Sequence, residues 1–319
     1  MQLPTMLGRR HQLSRLPSIP QLFFSKWLRF ATLVWVSGAI ALTVPLPGTS
    51  VSHRAQPQFL PPLASNDAGM VAESASLTKQ LQPVVPFLSS QEGQAGMAVI
   101  DSRHHVVLEA DSHQPFVLAS VAKLYILTAY LNLVASENRD LTPDEHDILA
   151  DMIEASDNDS ATTLWDRIGK TEGLQHYLAS RQLPPIEPAT DDDSWGDMRA
   201  DATSVGALLT GLYEGRLLGP ELTAEALHLL SHVIDSQSWG VGVAAQSDDQ
   251  TPPNEAPPQV YLKNGWYPED SGWVVNTAGV IAHGAEHYVV VVLSDGQPSF
   301  RAGVELVETA AAFVADRLP

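Results

Sequence analysis

The chain has 319 residues, 44% of them hydrophobic, enough to bury the core of one large or two ordinary domains. None is cysteine, which excludes disulfides, cysteine nucleophiles and thiolate metal sites. Net charge is −19, and residues 1–50 hold five basic side chains and no acid, so the remainder carries −24 and repels nucleic-acid phosphate, which excludes a nucleic-acid partner.

The five basic residues are Arg9, Arg10, Arg15, Lys26 and Arg29. They lead into an apolar run over residues 30–44 that closes at Pro45 and Pro47. The run is long for a signal-peptide core and short for a spanning helix, and no small-residue cleavage site follows it. The basic flank predicts that this end stays in the cytoplasm and the body is exported. The expected organisation is a basic cytoplasmic terminus (1–29), a signal anchor or signal peptide (30–47), a proline-rich tether (48–64) and one folded domain (65–319). The protein is then single-pass in the cell membrane with an extracytoplasmic domain, or secreted if the segment is cleaved. A buried core helix is the plain alternative, and five flanking basic residues disfavour it.

A helix is expected over residues 67–88, with Val71, Leu77, Leu81 and Val84 at helical spacing and Pro86 as its stop. Residues 96–101 and 106–110 flank a polar turn and read as a β-hairpin. An extended segment follows and ends at Ser120, where an apolar helical run (124–134) begins. The next helix is capped at Thr142, with Pro143 in its first turn and Glu145 completing a capping box; it runs to about 155. Helices are expected at 160–168, 173–181, 203–214 and 223–236. A polar loop over 246–259 then precedes strands at 260–262, 273–281 and 288–293 and a closing amphipathic helix at 304–317. The simplest arrangement is α+β: one antiparallel sheet built from both ends of the chain, flanked by helices, with a helical subdomain over roughly 119–245 inserted between them.

Ser120 and Lys123 stand three residues apart, one helical turn, on one face. A hydroxyl beside an amine is one way to activate a serine without histidine. The spacing alone is weak, since it arises by chance about once in a chain this long; Ser76 and Lys79 repeat it, before the hairpin and without an apolar helix. Ser156-Asp157-Asn158 follows, in isolation an ordinary polar helix cap. Lys263-Asn264-Gly265-Trp266 lies on the first strand after the helical block, in isolation an edge lysine with a glycine bulge.

The three motifs in this order and context form the signature of penicillin-recognising serine enzymes. Residues 65–318 resemble the class A β-lactamase-like serine hydrolases. The resemblance implies that Ser120 is the acylated nucleophile and that Lys123 takes or relays its proton. It implies that Ser156 passes a proton to the leaving nitrogen, that Asn158 orients Lys123, and that Lys263 meets the substrate carboxylate and holds Ser156. Asn264, Gly265 and Trp266 are implied as substrate-binding, with the N–H groups of Ser120 and Trp266 as oxyanion donors. A neutral lysine is required near neutral pH, and burial beside the second ammonium of Lys263 pushes in that direction.

The chain departs from the family pattern in three places. Only 36 residues separate Ser120 from Ser156, which predicts a trimmed cleft wall. Asn264 replaces the usual hydroxyl residue, and Trp266 is large enough to narrow the cleft. Glu187-Pro188 is the one match for the deacylating glutamate of the omega loop, with a solvated loop carboxylate as its plain alternative. Two metal-like patterns are set aside: His283, Glu286 and His287 span a turn rather than one helix face, and Asp191-Asp192-Asp193 lacks the later ligands of a calcium loop. No metal or cofactor is expected. The expected function is an exported serine acyl-enzyme hydrolase, monomeric, acting on β-lactams or peptidoglycan-type amides, a small-molecule or peptide substrate. An idle cell-wall-binding relative that keeps the pocket is the alternative.

Overall fold

The computed structural model describes residues 67–246, 257–283 and 286–319. The basic terminus, the apolar run, the proline-rich tether and most of the loop expected at 246–259 lie outside the described residues. In chain order the described elements are α1 (Asp67–Leu81), α2 (Val84–Ser89), β1 (Gln94–Asp101), β2 (Val106–Ala110), β3 (Phe116–Val117), α3 (Lys123–Ser136), α4 (Pro143–Ile153), α5 (Asn158–Arg167) and α6 (Lys170–Ser180). They continue with β4 (Arg199–Ala200), α7 (Ala202–Tyr213), α8 (Pro220–Ser231), β5 (Gln259–Glu269), β6 (Gly272–His283), β7 (Glu286–Asp295) and α9 (Phe300–Ala315).

The main sheet is antiparallel throughout, in the order β2-β1-β7-β6-β5. Strands from both ends of the chain meet at β1 and β7, with Val99 opposite Val290. The valine-rich β7 shows why. Val289, Val291 and Leu293 join the core shared with the helical block, while Val290 and Val292 join the core under α9. Side chains alternate between faces, so a strand buried on both sides must be apolar at every position. Each such residue contributes roughly 1.5–3 kcal/mol by leaving water. The fold is the α+β arrangement expected.

Local departures have local causes. The helix expected over 67–88 breaks at Pro83 and resumes as α2, rather than ending at Pro86. Pro86 falls in the first turn of α2, where a missing N–H is harmless. Helix α5 begins at Asn158, two residues early, because the Asp157 carboxylate accepts from Ser160 N–H and caps it. Helix α8 starts at Pro220 and stops at Ser231, short of the expected 236. The capping box of α4 forms as expected. Among the described residues, one helical stretch, Ala119–Ser136, is apolar and long enough to cross a membrane; most of it is buried in the protein, as a core helix is.

Candidate active site

The nucleophile candidate sits on a single 3-10 turn, Ala119–Ala122, between β3 and α3. Ala119 has a left-handed φ of 49°, uncommon for a residue with a Cβ. The turn is held in place from the sheet. Asn276 on β6, fully buried, donates from its amide to Val117 O (2.8 Å) and Leu118 O (3.1 Å), and its Oδ1 accepts from Ser294 N–H. Gly265 on β5 lies against the same turn. A Cβ there would stand 2.7 Å from the backbone nitrogens of both Ser120 and Val121. Glycine is therefore required by the protein's own close approach, whatever a substrate needs.

Strand alternation sorts the β5 motif. Lys263 and Gly265 lie on the face of Tyr261, toward the helical block; Asn264 and Trp266 lie on the face of Val260 and Leu262, toward α9. Asn264 is fully buried and donates to Gln237 O (2.8 Å) and Trp239 O (2.9 Å). The Trp266 indole packs with Trp239 and Phe300, centroids 5.6 Å from each. The expectation that these two side chains bind substrate, and that Trp266 narrows the cleft, is corrected accordingly: both turn to the α9 side.

The other motif residues converge. Lys123, fully buried at the start of α3, places Nζ 3.1 Å from Ser120 Oγ and 3.1 Å from Ser156 Oγ. It donates to Ser156 O (2.6 Å) and Asn158 Oδ1 (2.8 Å). Ser156 is itself left-handed, at φ 62°, in the turn between α4 and α5. Lys263, also buried, donates to Ser156 Oγ (2.9 Å) and to Asn264 O (3.0 Å). One hydroxyl thus links two amines. Burial lowers the Lys123 amine to about 7, against the opposing pull of the Asp157 carboxylate. Burial, and then the Lys123 charge, lower Lys263 well below the lysine range. Desolvation wins because both charges stand where water cannot.

Glu187 does not join this group. Its backbone pairs with that of Arg199, and its side chain is 62% exposed, 4.0 Å from the Arg199 guanidinium. What faces Lys123 from this segment is Trp195, on a 3-10 turn (Trp195–Asp197), with its ring centroid 5.1 Å from Nζ. Sequence reading missed Trp195 and Asn276, since neither lies in a motif: Trp195 acts through its ring contact and Asn276 through hydrogen bonds to distant backbone. Ser76 is exposed on α1, and among the described residues its hydroxyl accepts from Gln80 one turn on and lies in no cluster with the motif residues. Among the described residues, no group of three or more His, Asp or Glu side chains is arranged to hold a metal.

The sequence model described as the β-lactamase enzyme family matches residues 142–318, more than half the chain. The chain belongs to that family. As such it is a serine hydrolase of the β-lactamase-like kind, although the matched span begins after Ser120 and Lys123. Its fold is shared with a class A β-lactamase from Bacteroides cellulosilyticus (TM-score 0.64, 16% identity, 76% of this chain and 98% of that one). It is shared equally with the TLA-3 extended-spectrum β-lactamase (0.63, 15%, 76% and 98%) and with PBP-A (0.61, 20%, 76% and 95%). No curated protein matches the chain.

Proposed function

We propose that this β-lactamase family member is exported and opens β-lactam or peptidoglycan-type amide bonds through an acyl-enzyme on Ser120. The observation that carries this reading is the Lys123 amine, 3.1 Å from Ser120 Oγ and buried. A neutral amine has two hydrogens and one lone pair. Ser156 O and Asn158 Oδ1 can only accept, so they take both hydrogens and leave the lone pair for a hydroxyl proton. Lys123 then takes the Ser120 proton as Oγ attacks the carbonyl carbon. The oxyanion is met by the N–H groups of Ser120 and Trp266, in a site where fixed donors count for more than in water. When the C–N bond breaks, Ser156 gives its proton to the leaving nitrogen and regains one from Lys123 or Lys263. Of Asn264, Gly265 and Trp266, it is the backbone and not the side chains that is assigned to the substrate. An acidic substrate group beside Lys263 would oppose the effect of burial and favour its protonated form, which then supplies the positive potential. In this reading the domain is a monomer tethered outside the cytoplasm.

Hydrolysis of the ester needs a base within hydrogen-bond reach of a water, and Glu187 points to solvent. The reading therefore favours a penicillin-binding type with a lasting adduct over a fast β-lactamase. Benzylpenicillin should add its mass to the intact chain at Ser120 and remain for minutes or longer after free drug is removed. Ser120→Ala should abolish the adduct, Ser76→Ala should leave it, and Glu187→Gln should change its decay less than threefold. Failure to label Ser120 under any condition would leave the idle cell-wall-binding relative as the better reading. Rapid loss in the wild type, with a long-lived adduct in Glu187→Gln, would make the protein a working β-lactamase.

A further inference from the structure

We propose that Trp195 sets the lifetime of the acyl-enzyme, its indole sealing the Ser120–Lys123 pair against the water that would hydrolyse the ester. The inference rests on the acyl-enzyme reading above and deepens it.

The indole is 8% exposed, and its Nε1–H donates to Thr162 Oγ1 (3.2 Å) on α5. Its turn lies beside the nucleophile turn, where a Cβ on Gly196 would reach to 4.0 Å of Ala119 Cα. The turn is pinned from the far side as well: the Tyr267 hydroxyl on β5 lies 3.0 Å from Asp197 Oδ1. The Trp195 turn is thus tied to β5 through Asp197 and to α5 through the indole, with the ring against Lys123.

The acids of the same segment are all committed elsewhere. Glu187 faces Arg199, Asp191 accepts from Asp193 N–H, Asp192 from Thr171 N–H, Asp193 from Lys170, and Asp197 meets Tyr267. Hydrolysis requires a water oxygen to bond the ester carbon as the bond to Ser120 Oγ breaks. One water proton must pass to a base and one proton must reach Oγ. Trp195 offers neither a base nor room for the water. The charged groups facing Lys123 are Lys263 from β5 and Asp157 from the turn before α5; the Trp195 turn contributes a ring and no carboxylate.

The ring acts on the Lys123 amine in two opposite ways. A cation over an aromatic face gains about 0.5–2 kcal/mol, which favours the charged form. Exclusion of water favours the neutral form by more, up to 3–5 pK units for a fully buried group. The net displacement of Lys123 to about 7 follows the second effect. Removing the ring should therefore move the titration upward.

The test uses the full chain, benzylpenicillin and intact mass, following adduct decay after removal of free drug and the pH dependence of labelling. Trp195→Ala should shorten the adduct lifetime tenfold or more and move the labelling midpoint up by about one pH unit. Trp195→Phe, which keeps the ring, should stay within threefold on decay and hold the midpoint. Thr162→Val, an exposed change that frees the indole, should speed decay at least twofold. Decay at the wild-type rate in Trp195→Ala overturns the proposal, and if that variant does not fold, an unchanged rate in Thr162→Val does so. A wild-type adduct too brief to weigh also overturns it. Absence of any Ser120 adduct sinks the acyl-enzyme reading and this inference together, whereas adducts that form and decay alike in all variants sink the inference alone.

Discussion

Four atoms crowd the Lys123 amine, and burial sets its charge. Displacement from 10.5 to about 7 favours the neutral form by roughly 5 kcal/mol, a preference set by burial rather than by a partner. Labelling of Ser120 should therefore rise with pH through about 7 and level off above it; a rate flat or falling between pH 6 and 8 would remove Lys123 as the base. Lys123→Ala should slow labelling a hundredfold or more, as loss of a general base does. Stability carries the same sign. Between about 7 and the ordinary lysine range the unfolded chain holds a proton on Lys123 that the folded one lacks, so stability rises with pH there. Lys263 adds in the same direction, and Lys123→Met should flatten the slope in denaturant titrations. At this scale the sequence displayed Ser120, Lys123, Ser156, Asn158 and Lys263, because the motifs that single them out are defined by residue type and order. Trp195 and Asn276 act by where they touch, across separations of 72 or more residues, and no spacing encodes that.

Between elements, the site depends on how closely β5 and β6 approach the nucleophile turn. Asn276 ties three backbone groups, Val117 O, Leu118 O and Ser294 N–H, with one buried amide. Asn276→Ala strands them without water, at about 1–3 kcal/mol for each group left unpaired. With three groups stranded, we expect a drop of at least roughly 6 °C in melting temperature for a domain of this size and slower labelling of Ser120 even at temperatures where the variant stays folded. Normal labelling with a lower Tm would mean that the turn keeps its shape unaided. Element types were legible wherever periodicity was strong, as in α4, α9 and the hairpin of β1 and β2. Strand β5 was not: the expected strand at 260–262 extends to Glu269, because Lys263 and Asn264 are polar residues in a buried strand and so break its apolar pattern in the sequence. The side chains of Asn264 and Trp266 were misplaced for the related reason that a motif names residues and not faces.

Across the whole molecule, charge and topology act together. A body at −24 behind five basic residues predicts an orientation. Protease added to intact cells should digest the chain from Val51 onward, and digestion only after lysis would reverse the assignment. The strand order adds a constraint of another kind. β1 lies between β2 and β7, yet β7 is made almost two hundred residues later. During synthesis, which proceeds from the N-terminus, β1 and its apolar face wait without their principal partner. Pairings across such separations fold slowly, and an unpaired apolar edge recruits other chains. The nascent protein thus needs either a chaperone that shields β1 or delayed folding until the last strand has been made. The penicillin label would time that event, since Ser120 gains its β5 and β6 supports only when the C-terminal strands arrive.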